Sequence, residues 1–178
     1  HPLLVSLANT SEPLFLVNRS GNRPSHDGAA KWLDKADDLC RRAGFREVVF
    51  RGDTDFSQTA HLDRWDDRGT TFYFGIDAMA PLVKRADALA EGRWRPLERP
   101  PKYEVQTTSR ARPANVKEEV VVRRQFKNVR LFSELISEFT YQPTACHRPY
   151  RVVVLCKNLT VSRGEWLLFD DLRYFFYI

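Results

Sequence analysis

Between Trp32 and Ala43 the apolar residues Trp32, Leu33, Ala36, Leu39, Cys40 and Ala43 recur at spacings of three and four. That period puts them on one face of a helix. Short continuous apolar runs flank this stretch, at 2–8 and 13–18 before it and at 48–50 and 70–76 after it. Runs of that length read as strands, the one over 48–50 as a buried strand. The alternation of the two patterns constrains the chain more than any composition value: its first half must layer helices on a sheet.

Asn9-Thr10-Ser11-Glu12 joins the first two strands as a hairpin. Ser25 is read as the N-cap of the first helix, which runs to about Ala43 and stops at Gly44. Residues 46–51 then form a strand, and Ser57 to Asp67 a shorter helix that packs through Leu62 and Trp65 and ends at Gly69. A strand over 70–76 follows, and a helix marked by Leu82, Val83, Ala86 and Leu89 ends near Gly92. The order is β-β-α-β-α-β-α, an α/β domain. Past Gly92, prolines 96, 100 and 101 interrupt and the helical period is lost. Runs at 103–105, 116–122, 129–132, 150–155 and 166–169 read as an antiparallel β unit with long basic loops. The expected division is 1–92 and 93–178.

The 178 residues carry a formal charge of +5, and its distribution is uneven. Residues 91–130 hold eleven Lys/Arg and five Asp/Glu, so the rest of the chain is slightly acidic. A basic stretch on a near-neutral body points to a polyanion partner, most simply nucleic acid. The alternative is a solvated basic loop. No apolar run approaches the roughly 20 residues that span a bilayer. Three widely separated cysteines, Cys40, Cys146 and Cys156, fit a reducing cytoplasm better than a disulfide framework. Cys146-His147 with Cys156 is too sparse for a zinc site. The chain opens on His1 directly before an apolar strand and closes inside Tyr174-Phe175-Phe176-Tyr177-Ile178, so both ends read as cut.

The chemistry concentrates where the strand over 46–51 gives way to Gly52-Asp53-Thr54-Asp55. An aspartate just past the C-terminal end of a strand is a common address for chemistry in an α/β sheet. A second carboxylate two residues on can share a hard cation with it. Asp55 or Ser57 can equally cap the following helix and Asp53 close a turn, with Asp55 the better cap of the two. An EF-hand is excluded, because Gln58 and Arg64 occupy its required Gly and Glu positions. P-loop, dinucleotide and nucleophile-elbow motifs are absent. An Asp-x-Asp site for a nucleotide-sugar diphosphate remains open. Arg19 and Arg23 lie in a Gly/Asn/Pro/Ser loop suited to phosphate oxygens, or are incidental to it. His26 is a candidate base or a surface residue.

Taken together, VSLANTSEPLFLVNRSGNRPSHDGAA, FRGDTDFSQTAHLDRW, FGIDAM, RPPKYEV, RPANVKE and LFDDLRYFFYI resemble the catalytic domain of bacterial insertion-sequence transposases of the DDE class. The resemblance covers essentially the whole chain. It implies a ribonuclease H-like mixed sheet with helices, followed by a β-rich antiparallel insertion over 93–178. It also implies two Mg²⁺ (or Mn²⁺) ions held by two aspartates and a glutamate, for in-line attack on a DNA phosphodiester. Arg51, Asp53 and Phe56 match the family's R-x-D-x-x-F pattern around the second aspartate. Asp53 thereby becomes the expected catalytic and metal-binding residue, and Asp55 a cap or supporting group.

The family's first aspartate lies on a strand that would precede His1. Its glutamate lies on a helix after the insertion, in a Tyr-x2-Arg-x3-Glu pattern this chain does not contain. The chain is therefore expected to be a fragment lacking the first strand and the last catalytic helix, silent alone and poorly stable. The implied partner is double-stranded DNA, both transposon ends and target, contacted by Arg19, Arg23, Arg110, Arg112, Lys117, Arg123 and Arg124. The complete enzyme would act as a dimer on DNA, associated with the bacterial nucleoid in the cytoplasm, with no membrane contact. The alternatives are an Asp-x-Asp glycosyltransferase and a non-catalytic DNA-binding remnant.

Overall fold

The structure, a computed structural model, describes residues 2–99, 129–162, 165–166 and 168–178. The expected strands at 103–105 and 116–122 lie outside the described residues. The chain divides into two units, one of residues 1–89, 138–154 and 175–178, the other of 90–137 and 155–174. The break at residue 90 falls close to the loss of helical period at Gly92. Residues 138–154 and 175–178, expected in the β-rich second part, belong instead to the first unit.

The first unit begins with a hairpin, β1 (Leu3–Ser6) antiparallel to β2 (Pro13–Val17). Helix α1 (Ala29–Arg42) lies against it, with the Phe15 and Trp32 rings 5.2 Å apart. α1 starts later than the Ser25 cap predicts. Residue 28 is its N-cap, and Gly28 takes φ 72, a left-handed value that suits glycine. Residues 24–27 form a turn instead, because the Arg19 guanidinium donates to the Ser25 and Asp27 carbonyls at 3.1 and 2.5 Å. Gly44 (φ 93) ends the helix in the predicted left-handed conformation.

Strand β3 (Val49–Gly52) runs parallel to β4 (Thr71–Ile76), and between them come two single 3-10 turns and the short helix α2 (Leu62–Asp67). The predicted helix from Ser57 is thus helical only over its last six residues. Its stop at Gly69 (φ 70) is as predicted. α2 buries Leu62 and Trp65 completely, and Trp65 meets Phe50 and Phe74 at ring distances of 5.2 and 5.7 Å. Helix α3 (Ala80–Asp87) buries Leu82 and Ala86 and ends before Leu89.

α1 and α2 are joined by polar contacts. Asp34 accepts from Arg64 and from the Trp65 indole N–H, each at 2.8 Å. Buried Asp37 pairs with Arg41 at 2.9 Å and Arg68 at 3.3 Å, and Arg41 also donates to the buried Thr70 hydroxyl at 3.0 Å. Two buried polar groups are thereby satisfied, which removes the penalty of leaving them unpaired.

The remaining strands are β5 (Arg95–Pro96), β6 (Val129–Arg130), β7 (Ser133–Tyr141), β8 (Tyr150–Asn158), β9 (Val161–Ser162), β10 (Glu165–Trp166) and β11 (Leu172–Tyr177). The main sheet has six strands in the order β3-β4-β11-β8-β7-β5. It is mixed, since β4 is parallel to β3 and antiparallel to β11. In the first unit, Phe74 and Ile178 exchange both backbone hydrogen bonds at 2.9 Å. The apolar run at 174–178 is therefore an inner strand of this sheet. In the second unit, Arg95 and Pro96 pair with Ile136 and Leu135, and β10-β9-β6 form a separate antiparallel sheet. The architecture is α/β, with a mixed sheet and a few helices. Among the described residues, no helix is long and apolar enough to cross a membrane.

Candidate functional site

β3 ends at Gly52, and Asp53 is the next residue, with extended backbone (φ −78, ψ −170). Its Oδ1 accepts the Asp55 backbone N–H at 3.1 Å, and its carbonyl accepts the Phe56 N–H at 3.1 Å. Asp53 thereby caps a single 3-10 turn, Thr54–Phe56. The preference for Asp55 as the cap is reversed: Asp55 supplies only its amide, and its carboxylate caps nothing. An aspartate caps the turn that its own position precedes, and the turn starts at Thr54 instead of near Ser57.

The turn is held from three sides. The Ser57 hydroxyl donates to the Thr54 carbonyl at 2.9 Å. Gln58 Nε2 donates to the His26 carbonyl at 2.5 Å, which ties the turn to the loop before α1. Beneath it, a Cβ on Gly75 would sit 3.0 Å from the Thr54 amide nitrogen, and one on Gly52 would sit 2.9 Å from Phe56 Cβ. Two glycines are therefore needed for the chain to pass so close over β4. Neither the glycines nor Gln58 stood out in the sequence. The only signal was a glycine at the end of β3 and another inside a strand pattern.

Asp53 is exposed, and its Oδ2 has no hydrogen-bond partner among the described residues. Asp55 is exposed as well, and its carboxylate is likewise unengaged among them. The two are chemically distinct: one carboxylate is fixed by an amide and the other is not.

Arg19 is committed to the carbonyls of the 24–27 turn, and Arg23 forms an exposed ion pair with Asp27 at 2.8 Å. Their loop is joined to the Asp53 turn through Gln58 and His26, but the Arg19 guanidinium serves the fold. The His26 side chain is exposed. Arg110, Arg112, Lys117, Arg123 and Arg124 lie outside the described residues. Among the described residues, no three His, Cys, Asp or Glu side chains are grouped to hold a metal ion. Asp53 offers one carboxylate with one oxygen already engaged, so the residues described do not make up a two-ion centre.

A second polar cluster lies on α2. The His147 amide and Tyr150 hydroxyl donate to Asp63 at 2.6 and 2.5 Å, and Arg148 pairs with Asp66 at 2.8 Å and with Asp67. The His147 amide first, then the Tyr150 hydroxyl, hold the Asp63 carboxyl below the usual range. Burial, then the hydrogen bond to Asp63, pushes the Tyr150 phenol up. The buried Cys146 thiol contacts the Thr59 carbonyl at 3.2 Å, and burial raises its pKa. That environment makes a packed, unreactive thiol.

Comparison with family models, curated proteins and solved structures gives no match to this chain.

Proposed function

We propose that this chain is part of the catalytic domain of a DDE-class DNA transposase. In that reading Asp53 is the second of three metal-binding carboxylates in an enzyme that cleaves and joins DNA phosphodiesters. The observation that carries the proposal is the placement of Asp53. It follows the C-terminal end of a parallel strand, its backbone is fixed by a turn on β4, and one carboxylate oxygen faces no protein donor among the described residues. A carboxylate so held is positioned in advance for a ligand.

The parallel pairing of β3 with β4 supports reading this unit as a ribonuclease H-like core. The hairpin β1–β2 and the β3 edge both belong to the first unit, yet they are not joined into one sheet among the described residues. The ribonuclease H-like order sets a further strand between them, bearing the first carboxylate. The inequality of Asp53 and Asp55 favours this reading over an Asp-x-Asp glycosyltransferase, in which both would serve the ion. The divalent ions, when bound, would activate the attacking oxygen and stabilise the leaving one. What this chain supplies is one fixed carboxylate. Double-stranded DNA is the proposed partner, with the basic residues between 100 and 130 as its phosphate contacts, in a bacterial cytoplasm.

The test is the coding sequence on either side of these residues. The reading expects an upstream strand carrying an Asp and a downstream helix carrying Arg and Glu. An open frame with neither sinks it.

A further inference from the structure

The sequence pattern that singles out Asp53 contains two further residues, Arg51 and Phe56, and the fold employs only one of them. Phe56 is half-buried and lies over Gly52, where it closes the turn. Arg51 is exposed and donates to no group among the described residues. A guanidinium on a strand with nothing to bond is available to a ligand, and its planar fork fits the oxygens of a phosphate.

The strand register identifies what surrounds it. Phe50 and Gly52 turn to the covered face of the sheet: Phe50 meets Trp65 at 5.2 Å, and a Cβ on Gly52 would meet the fully buried Phe74. Side chains alternate along a strand, so Arg51 and Asp53 both project from the opposite face. Arg51 pairs with Tyr73 in the parallel ladder, and Gly75, next on that side of β4, pairs with Tyr177 of β11. Val49, Arg51, Asp53, Tyr73 and Tyr177 therefore share one surface of the first unit, and all five are exposed. Tyr73, beside Arg51, is 63% exposed although its strand lies inside the sheet.

Two residues of strand span about 6.6 Å, close to the step between successive phosphates of an extended nucleotide strand. With the scissile phosphate at Asp53, the neighbouring phosphate comes within reach of Arg51. The Tyr73 ring then lies beside the nucleotide between them. An exposed aromatic ring stacks on the face of any base, provided that the base has left its partner. A cation for phosphate next to a ring for a base is the chemistry that recognises a nucleotide. An acidic peptide would use the cation and leave the ring exposed.

We propose that the exposed face of β3 and β4 carries a DNA strand into the Asp53 site, with Arg51 holding a phosphate and Tyr73 stacking on an unpaired base. The inference rests on the reading of Asp53 as a ligand in a phosphodiester site, and it adds the residues that position the strand there.

The test is fluorescence anisotropy of the full chain with a labelled oligothymidine of about ten nucleotides, without Mg²⁺, so that binding is read apart from cleavage. Arg51→Ala should weaken binding and reduce the slope of log affinity against log salt by about one. Arg42→Ala, an equal loss of charge on α1, should leave that slope unchanged, and Arg51→Lys should keep most of the affinity. Tyr73→Ala should weaken binding about five- to 150-fold, whereas Tyr73→Phe, which keeps the ring, should bind like wild type. Thermal melts check that each variant is folded. A wild-type chain that does not bind the oligonucleotide overturns the proposal. So does wild-type affinity in Arg51→Ala and Tyr73→Ala, or an equal loss in Arg42→Ala and Arg51→Ala. Cleavage by the complete protein is scored separately. Asp53-dependent cleavage with undiminished binding by both variants sinks the strand path alone. Binding that depends on Arg51 and Tyr73, with no cleavage, sinks the transposase reading alone.

Discussion

The Asp53 carboxylate accepts the backbone N–H of Asp55 at 3.1 Å, so the first carboxylate of the Asp-Thr-Asp stretch is the one the fold holds. Asp53→Ala removes this cap and should lower stability by about 0.5–1 kcal/mol. Asp55→Ala removes no bond of that carboxylate and should stay within about 0.5 kcal/mol of wild type. Denaturant unfolding of the two variants checks the order, and equal losses would contradict it.

Gly75 and Gly52 let the turn lie against β4. Gly75→Ala places a methyl group 3.0 Å from a backbone nitrogen, and Gly52→Ala places one 2.9 Å from Phe56 Cβ. Each should cost about 1–3 kcal/mol as an overpacked contact. Gly21→Ala, where a Cβ meets nothing within 4 Å, is the control and should cost far less. Thermal melts of the three variants make the comparison.

Asp34 ties α1 to α2 through Arg64 and through the indole of Trp65, a fully buried residue. Asp34→Ala leaves the indole N–H without its acceptor and should cost about 1–3 kcal/mol. Trp65→Ala should cost about 3–5 kcal/mol through the cavity it leaves. The two losses should fall short of adding in the double variant, because they remove one shared contact.

The Asp63 and Tyr150 pair predicts two limbs of a pH–stability curve. The folded pKa of Asp63 lies below its unfolded value, so its contribution is present above the unfolded carboxyl range and is lost as pH falls through the folded value. Asp63→Asn should flatten that acid limb. The folded pKa of Tyr150 lies above its unfolded value, so its contribution is full below about pH 10 and fades as pH rises toward the folded pKa. Tyr150→Phe should flatten the alkaline limb and leave the acid limb shallower, since Asp63 loses one donor. Melting temperature against pH for the three proteins is the measurement.

The legible parts of this fold are the local ones. Gly44 and Gly69 stop helices because a left-handed residue ends a helix whatever surrounds it, and both take that conformation. The start of α1 was not legible: Ser25 has the chemistry of a cap, but Arg19, six residues earlier, captures the carbonyls of the turn that contains it. The pairing of β11 with β4 was hidden for a similar reason. Nothing near 172–177 says that a strand about a hundred positions earlier lies beside it. The site divides the same way. Asp53 was legible from its place after a strand. Its role as cap was assigned to Asp55, because the helix was expected at Ser57 and not as a 3-10 turn at Thr54. Gln58, which bonds the His26 carbonyl, carried no pattern at all.

The direct test of the transposase reading is DNA cleavage by the complete protein encoded by the reading frame that contains this chain, on duplex DNA with Mg²⁺. The account predicts cleavage that Asp53→Asn reduces at least about a thousandfold and that Asp55→Asn leaves within about tenfold of wild type. Cleavage undiminished by Asp53→Asn, or an equal dependence on both aspartates, would contradict it.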